Sequence, residues 1–459
     1  MMKLMKILAP TGIVGYGFPE DSFAIGIAKN PDLIACDAGS TDPGPFYLGS
    51  GKSFTTKSAV KRDLTLMLKA SCQLNIPLII GTAGGSGGIP HLERETQIIL
   101  EIAKEYHLSF TFVTISSELN QELLVKELHE GNLLPLGAAP LANEGDLRNS
   151  TRIVAQMGVE AIIGAIEKGA QVILCGRCYD PAPFAALAIH QGFSEALATH
   201  LGKLLECACI SATPGSGSDC MMGYLYEDSF AVEPCNPKRK CTTVSVAAHT
   251  MYEKSNPYLL PGPGGTLDLR NCKFIQETDR RVRVYGSRFI PQETKNVKLE
   301  GASLVGYRTI CICGNRDTLF IQDLDNIIKD LKIQTAENLK GTGIEYHLDF
   351  IVYGQDGVMG NLEPHPIITS HEIGMIIDVV ADTQEQANTV CSVARSTLLH
   401  QGYPGRKATA GNLAFPYSPS DIEVGAVYQF SVYCLLQHDN PQALFPVQVH
   451  RVDHGEKLT

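Results

Sequence analysis

No stretch of this sequence stays apolar for the roughly 20 residues that a membrane-spanning helix needs, so no membrane span is expected. No secretory leader is expected either. Met1 to Pro10 carries Lys3 and Lys6 and only a short apolar run, which reads as a first strand and leaves a cytosolic, reducing compartment as the expectation. Basic residues are in deficit: 38 Lys+Arg stand against 49 Asp+Glu, a net charge of −11, which works against non-specific attraction to nucleic acid or an anionic membrane. Small anionic substrates stay compatible with that charge through a local basic pocket. There is no low-complexity linker and no internal repeat, so two packed units without a tether are expected. The fourteen cysteines lack metal-ligand spacing. Cys175 and Cys178 form a lone C-x-x-C, while Cys207/Cys209 and Cys311/Cys313 alternate as strand neighbours would. A structural zinc normally takes two such pairs or matching histidines.

What is present is an ordinary globular composition, 44% hydrophobic and 19% charged, in a chain whose 459 residues exceed one ordinary core. The first 190 or so residues repeat an apolar β-branched run that ends in glycine and small polar residues and leads into a helix-period segment. That rhythm predicts a parallel α/β sheet. Strands are expected at 6–10, 33–36, 77–80, 109–115 and 172–175, and helices at 22–29, 59–72, 92–106, 119–129, 152–168 and 183–191. Beyond about residue 204 the texture turns to shorter Gly/Pro-punctuated strands, among them 243–247, 281–285, 303–313 and 347–352. Helices follow at 324–331 and 383–399. The reading is an N-terminal parallel-sheet, Rossmann-like α/β unit over 1–204 packed against a C-terminal α+β unit over 205–459 that contributes to a ligand cleft.

In open α/β sheets the loops after the strands line the ligand crevice, and here those loops are rich in Gly, Asp and Arg. Gly12, Gly15 and Gly17 open a loop whose amides suit a phosphate or carboxylate, or simply a tight turn. The order departs from G-x-G-x-x-G. Asp37 and Asp42 flank a Gly/Pro-stiffened loop and could supply a general base, a divalent-cation ligand pair or hydrogen bonds to a hydroxyl. Asx-turn capping is the plainer alternative. Gly81-Thr-Ala-Gly84-Gly85-Ser86-Gly87-Gly88 exposes backbone to an anionic ligand, without the Lys-Ser/Thr ending of a P-loop, which disfavours ATP hydrolysis. His91, three residues on, reads first as a capping histidine. Arg177 ends another buried strand and ranks first for anion binding, with Asp180 to orient it or act on the substrate; an internal Arg177–Asp180 pair is the alternative. Cys241 and His249, read as lying on one strand, stand too far apart for a nucleophile pair, while His249 is a candidate proton shuttle or a core histidine. The Gly/Pro-rich 400–406 and 410–419 could supply a lid.

Several longer motifs carry a resemblance: Asp37-Ala-Gly-Ser-Thr-Asp-Pro-Gly with Leu48-Gly-Ser-Gly51, Ile153-Val-Ala-Gln-Met-Gly-Val-Glu160, Gly176-Arg-Cys-Tyr-Asp180, Ser245-Val-Ala-Ala-His-Thr-Met-Tyr-Glu253, Arg280 to Arg288 and Gly411 to Pro419. Together they make the chain resemble the acyclic terpene utilisation protein A (AtuA) family over most of its length. Cys175 and Cys178 depart from the small aliphatic residues expected beside Gly176-Arg177. The resemblance implies a catabolic role on acyclic terpenes or other branched short-chain acids through acyl-CoA intermediates. It brings no assigned catalytic residues. It also implies a small partner domain, and because the chain stops soon after its late strands a separate partner subunit is the expectation, beside homo-oligomerisation.

The leading functional expectation is an enzyme acting on a small carboxylic acid or its CoA thioester by proton abstraction with addition or elimination, a lyase or hydratase. Asp37, Asp42, Asp180 and His249 are its candidate acid, base or metal-ligand residues. Arg177, Gly15, Gly17, Gly84, Gly85, Ser86 and Gly87 are the candidates to hold the anion. The cofactor is unassigned, with a divalent cation or a CoA-linked substrate as the candidates. Two alternatives stand beside it: an NAD(P)- or nucleotide-dependent enzyme with a variant glycine loop, and a non-catalytic subunit of a catabolic complex.

Overall fold

The computed structural model describes residues 3–252, 255–365 and 367–458. The chain divides into two compact units, one made of Met1–Ser303 with Phe430–Thr459 and the other of Leu304–Gln429. In chain order the strands are β1 (Met5–Ala9), β2 (Leu33–Asp37), β3 (Leu78–Gly81), β4 (Phe110–Ile115), β5 (Leu133–Pro135), β6 (Ser150–Ala155), β7 (Val172–Cys175), β8 (Met221–Leu225) and β9 (Ser229–Pro234). They continue as β10 (Leu259–Gly262), β11 (Gly265–Asp268), β12 (Lys273–Gln276), β13 (Val282–Tyr285), β14 (Arg288–Pro291) and β15 (Asn296–Asn315). The last are β16 (Tyr346–Tyr353), β17 (Ile373–Ala381), β18 (Asp421–Gln437), β19 (Val447–Asp453) and β20 (Glu456–Leu458).

The large unit is an α/β fold around one sheet of order β12-β13-β9-β8-β1-β2-β3-β7-β4-β19-β20. Its middle, from β1 to β4, is parallel, and antiparallel strands extend it at both edges. Strands β2, β3 and β7 are buried at every position, which is why they read as unbroken apolar runs and not as alternating ones. Helices Glu20–Ala28, Lys57–Leu74 and Ile89–Tyr106 pack on one face through Phe23, Leu64 and Ile99. Helices Gln121–His129, Val159–Glu167, Ala182–His190 and Glu195–Leu205 pack on the other through Leu124, Ile162, Phe184 and Leu201. The crossovers therefore change face between β3 and β7. Such a switch point is where an open α/β sheet leaves a crevice at its carboxyl edge, and the loops after β3 and β7 flank it. The small unit has its own core, where helices Leu324–Asn338 and Gln384–His400 cover the antiparallel strands β16, β17 and the Tyr307–Asn315 part of β15.

Three expectations are corrected. The boundary near residue 204 falls inside the large unit, because β8 pairs antiparallel with β1 along Met5 to Ala9 and continues the first sheet. The single helix expected over 152–168 divides into β6, which pairs with the Leu299–Ser303 part of β15, and the helix Val159–Glu167. The strand expected at 243–247 is the start of a helix, Thr243–Met251. Its β-branched residues suggest a strand, but Thr242 and Ser245 close a capping box that satisfies the first-turn amides. Glu253, the end of the motif that begins at Ser245, lies outside the described residues.

Candidate functional site

Asp37 closes β2 at the carboxyl edge and is 6% exposed. Among the described residues no donor reaches its Oδ1. The site is built tightly around it: a Cβ on Gly81 would lie 3.0 Å from Asp37 Oδ1 and 2.7 Å from Pro183. Burial first, then the Asp180 and Cys178 side chains, push the Asp37 carboxyl well above the usual carboxylate range, with Arg177 opposing. The protonated acid is thereby favoured.

Arg177 leaves β7 two residues after its end and is 3% exposed. Its Nε donates to Glu300 Oε2 at 2.7 Å, and its Nη1 donates to Asp180 Oδ1 at 2.8 Å and to the Cys178 carbonyl at 2.7 Å. Glu300 accepts in addition from Lys298 Nζ at 2.7 Å and Thr41 Oγ1 at 3.0 Å. Burial alone would raise the Glu300 carboxyl, but the Arg177 and Lys298 charges overcome it and hold the group at about 2. Arg177 is accordingly a braced cation, with Nε and Nη1 committed to the chain's own carboxylates. It orients Asp180, which is 30% exposed at the side chain, and sets the field felt by Asp37.

The glycine loops have a related character. Gly15 and Gly17 donate to Asp63 Oδ2 at 2.9 and 3.0 Å, so the anion held by the first loop is a fully buried carboxylate of the chain itself. In the second loop the Gly84 amide donates to Glu95 Oε1 at 2.8 Å, Gly85 to the Thr82 carbonyl and Gly87 to the Ala83 carbonyl. Gly87 is held against β7's loop so closely that a Cβ would meet the Arg177 nitrogen at 2.0 Å, and Gly85 lies against Gly39, where a Cβ would meet it at 2.9 Å. Between them Ser86 is buried, and among the described residues its Oγ has no partner. His91 caps its helix: Gly88 N donates to Nδ1 and Nε2 donates to the Lys52 carbonyl.

Asp37, Arg177, Asp180 and the Gly84–Gly87 loop thus meet at the switch point. Asp42 does not share the Asp37 environment. It is exposed on the rim of a cleft of about 490 Å³ that Thr41, Lys298, Glu300 and Tyr433 also line. His249 is buried on its helix and stacks on Tyr252 with ring centroids 4.6 Å apart. Tyr252 in turn lies 4.7 Å below Lys203 Nζ and within 3.3 Å of Cys207 Sγ, and Lys203 pairs with Glu206 at 3.0 Å. Glu206 is one of the charges that raise Asp37. Among the described residues, no group of three or more His, Cys, Asp or Glu is arranged to hold a metal ion. Cys175 and Cys178 are free thiols, both buried. Nor is any described helix long and apolar enough to cross a membrane.

Sequence reading missed Glu300, Lys298, Glu95 and the Lys203–Glu206 pair. Glu300 lies 123 residues from Arg177, and no local pattern links them. The Lys298-Leu-Glu300 alternation, with two charges on one face of a strand, is the signal that was there. For Glu95 the signal is a lone carboxylate in the apolar stripe of its helix, among Ile98, Ile99 and Ile102.

No curated protein and no solved structure matches the chain. The sequence model described as acyclic terpene utilisation family protein AtuA matches residues 69–220 and 232–427, which takes in Thr82 to Gly88, Arg177, Asp180, Glu206, His249 and Glu300. With most of its length matched, the chain belongs to the acyclic terpene utilisation (AtuA) family.

Proposed function

We propose that this member of an acyclic terpene utilisation family is an enzyme that moves a proton on a small branched carboxylic acid or its acyl thioester, in an addition or elimination of the hydratase or lyase type. One observation carries the reading: a buried carboxyl, Asp37, kept toward its protonated form beside a second carboxyl, Asp180, at the carboxyl edge of a parallel sheet. Carboxyls in unlike environments divide acid and base roles between them. Asp37 is the proton donor to the unsaturated carbon, or in reverse the acceptor of the proton next to the carbonyl. Asp180, fixed by Arg177 and part exposed, is placed to work on the hydroxyl or water that is added or lost. Arg177, Lys298 and Glu300 act as positioning groups. The Gly15 and Gly17 amides that a variant dinucleotide loop would offer a phosphate are occupied by Asp63, which favours proton transfer over nucleotide chemistry.

The test is solvent deuterium incorporation into branched unsaturated acids and enoyl thioesters, followed by NMR. The wild-type chain is expected to exchange at least one of them, and Asp37→Asn to slow that exchange by about 10²-fold or more. Wild-type protein that exchanges none of them, or an Asp37→Asn variant that exchanges at the wild-type rate, overturns the proposal.

A further inference from the structure

Next to the Asp37 loop runs a strip of aromatic side chains that the chemistry above does not use. Tyr16 lies 6.1 Å from Phe54, Phe54 is edge-on to Tyr47 at 5.2 Å, and Tyr47 is edge-on to Phe46 at 5.4 Å. Tyr16 is 47% exposed, and Tyr47 and Phe54 are half-buried. A core would have covered these rings, since each carries a large apolar area.

The strip is tied to the site by backbone. Val14 N donates to the Asp37 carbonyl at 3.0 Å, and Phe54 N donates to the Gly84 carbonyl at 3.0 Å. Thr55 Oγ1 donates to the Val14 carbonyl at 3.1 Å and so joins the two segments that carry Tyr16 and Phe54. A Cβ on Gly85 would lie 2.7 Å from Phe54 Cβ, so the ring begins where the glycine loop ends. At that end stand two buried polar atoms for which no partner is found among the described residues, Asp37 Oδ1 and Ser86 Oγ. One end of the arrangement therefore wants hydrogen bonds and the other wants apolar surface.

From this juxtaposition we infer that the strip Tyr16–Phe54–Tyr47 is the seat of a flexible hydrocarbon chain whose carboxyl or thioester end reaches Asp37 and Ser86. A flat base is the wrong shape for it. The three rings meet at interplanar angles of 53° and 90°, so no two parallel faces form a slot for a purine, whereas an alkyl chain fills alternating faces and edges. The inference rests on the proposed reading for the polar end and adds the substrate's other half: it selects a chain long enough to cover three rings over a short acid that stops at the carboxyl.

The sequence contains no tryptophan, so Tyr16→Trp in the full chain gives a single emission reporter at the exposed end of the strip, and Tyr47→Trp gives a second. Saturated monocarboxylic acids of increasing length, which cannot react, are the probes. The expected result is a blue-shifted emission with affinity rising roughly four-fold per added methylene until the strip is covered. In the Tyr16→Trp background, Phe54→Ser is expected to flatten that dependence. Emission that no acid shifts in either reporter, or affinity independent of chain length, overturns the inference. Chain-length-dependent binding by a protein that exchanges no proton would instead overturn the proposed reaction alone, and exchange without chain-length dependence would overturn the strip alone.

Discussion

At the scale of single residues, the molecule places carboxyl groups where water cannot reach and lets each surrounding decide its charge. Glu300 is buried between two cations and is held at about 2, whereas Glu95 is buried with one amide donor and is pushed up by burial to about 7. The two have opposite consequences for stability. A folded-state value above the unfolded one means that the native chain binds more protons, so stability is full below pH 4.5 and is lost as pH rises through about 7. For Glu95 that loss is on the order of 3 kcal/mol. Glu95→Gln keeps an acceptor for Gly84 N and removes the ionisation. The variant is expected to match wild type in urea unfolding at pH 5 and to exceed it at pH 8 by up to about 3 kcal/mol. An equal difference at both pH values would mean that Glu95 does not titrate in the fold. Asp37 has the same sign, so Asp37→Asn is expected to lose proton transfer while gaining stability on the alkaline side.

At the scale of elements, the loops of the parallel sheet are preorganised by carboxylates from helices packed beside them. Asp63, on the helix Lys57–Leu74, draws in the amides of Gly15 and Gly17, and Glu95, on the helix Ile89–Tyr106, draws in Gly84. Asp63→Asn removes the charge and leaves one carbonyl to serve both amides. A cost of about 2 to 3 kcal/mol is expected from the weakened charge-assisted hydrogen bonds. Hydrogen exchange should locate it: faster at Gly15 and Gly17, unchanged at Gly84. Unchanged protection at all three would show that the loop does not depend on Asp63. These elements also show what could be read from sequence. β2, β3 and β7 were legible because burial on both faces leaves an unbroken apolar run, and the loops after them were legible because Gly and Asp follow such runs. Thr243–Met251 was not, since its β-branched residues imitate a strand and only the Thr242–Ser245 cap decides for helix. Arg177 and Asp180 were legible as a pair within one loop. The brace that fixes them, Glu300 on β15, is contributed by distant chain and becomes visible only when that strand is in place.

At the scale of the whole molecule, the chain leaves the large unit at Ser303 and re-enters it at Phe430, so the segment between is an insertion with a core of its own. Every residue assigned to the candidate site, from Asp37 to Glu300, belongs to the large unit. The two units are therefore predicted to respond separately to damage. Ile377 is fully buried in the core of the small unit, on β17 where that strand pairs with β15 and β16. Ile377→Ala deletes buried methyl and methylene groups and is expected to cost 2 to 5 kcal/mol of local stability. If the insertion is its own cooperative unit, amide protection falls by that amount along Ile373–Ala381 and stays at the wild-type level along Leu33–Asp37, with emission from a Tyr16→Trp reporter unchanged. A single cooperative core predicts the opposite, an equal loss in both strands. Hydrogen exchange read by mass spectrometry on those two strands distinguishes the cases. An equal loss would also mean that the geometry around Asp37 depends on packing within the other unit.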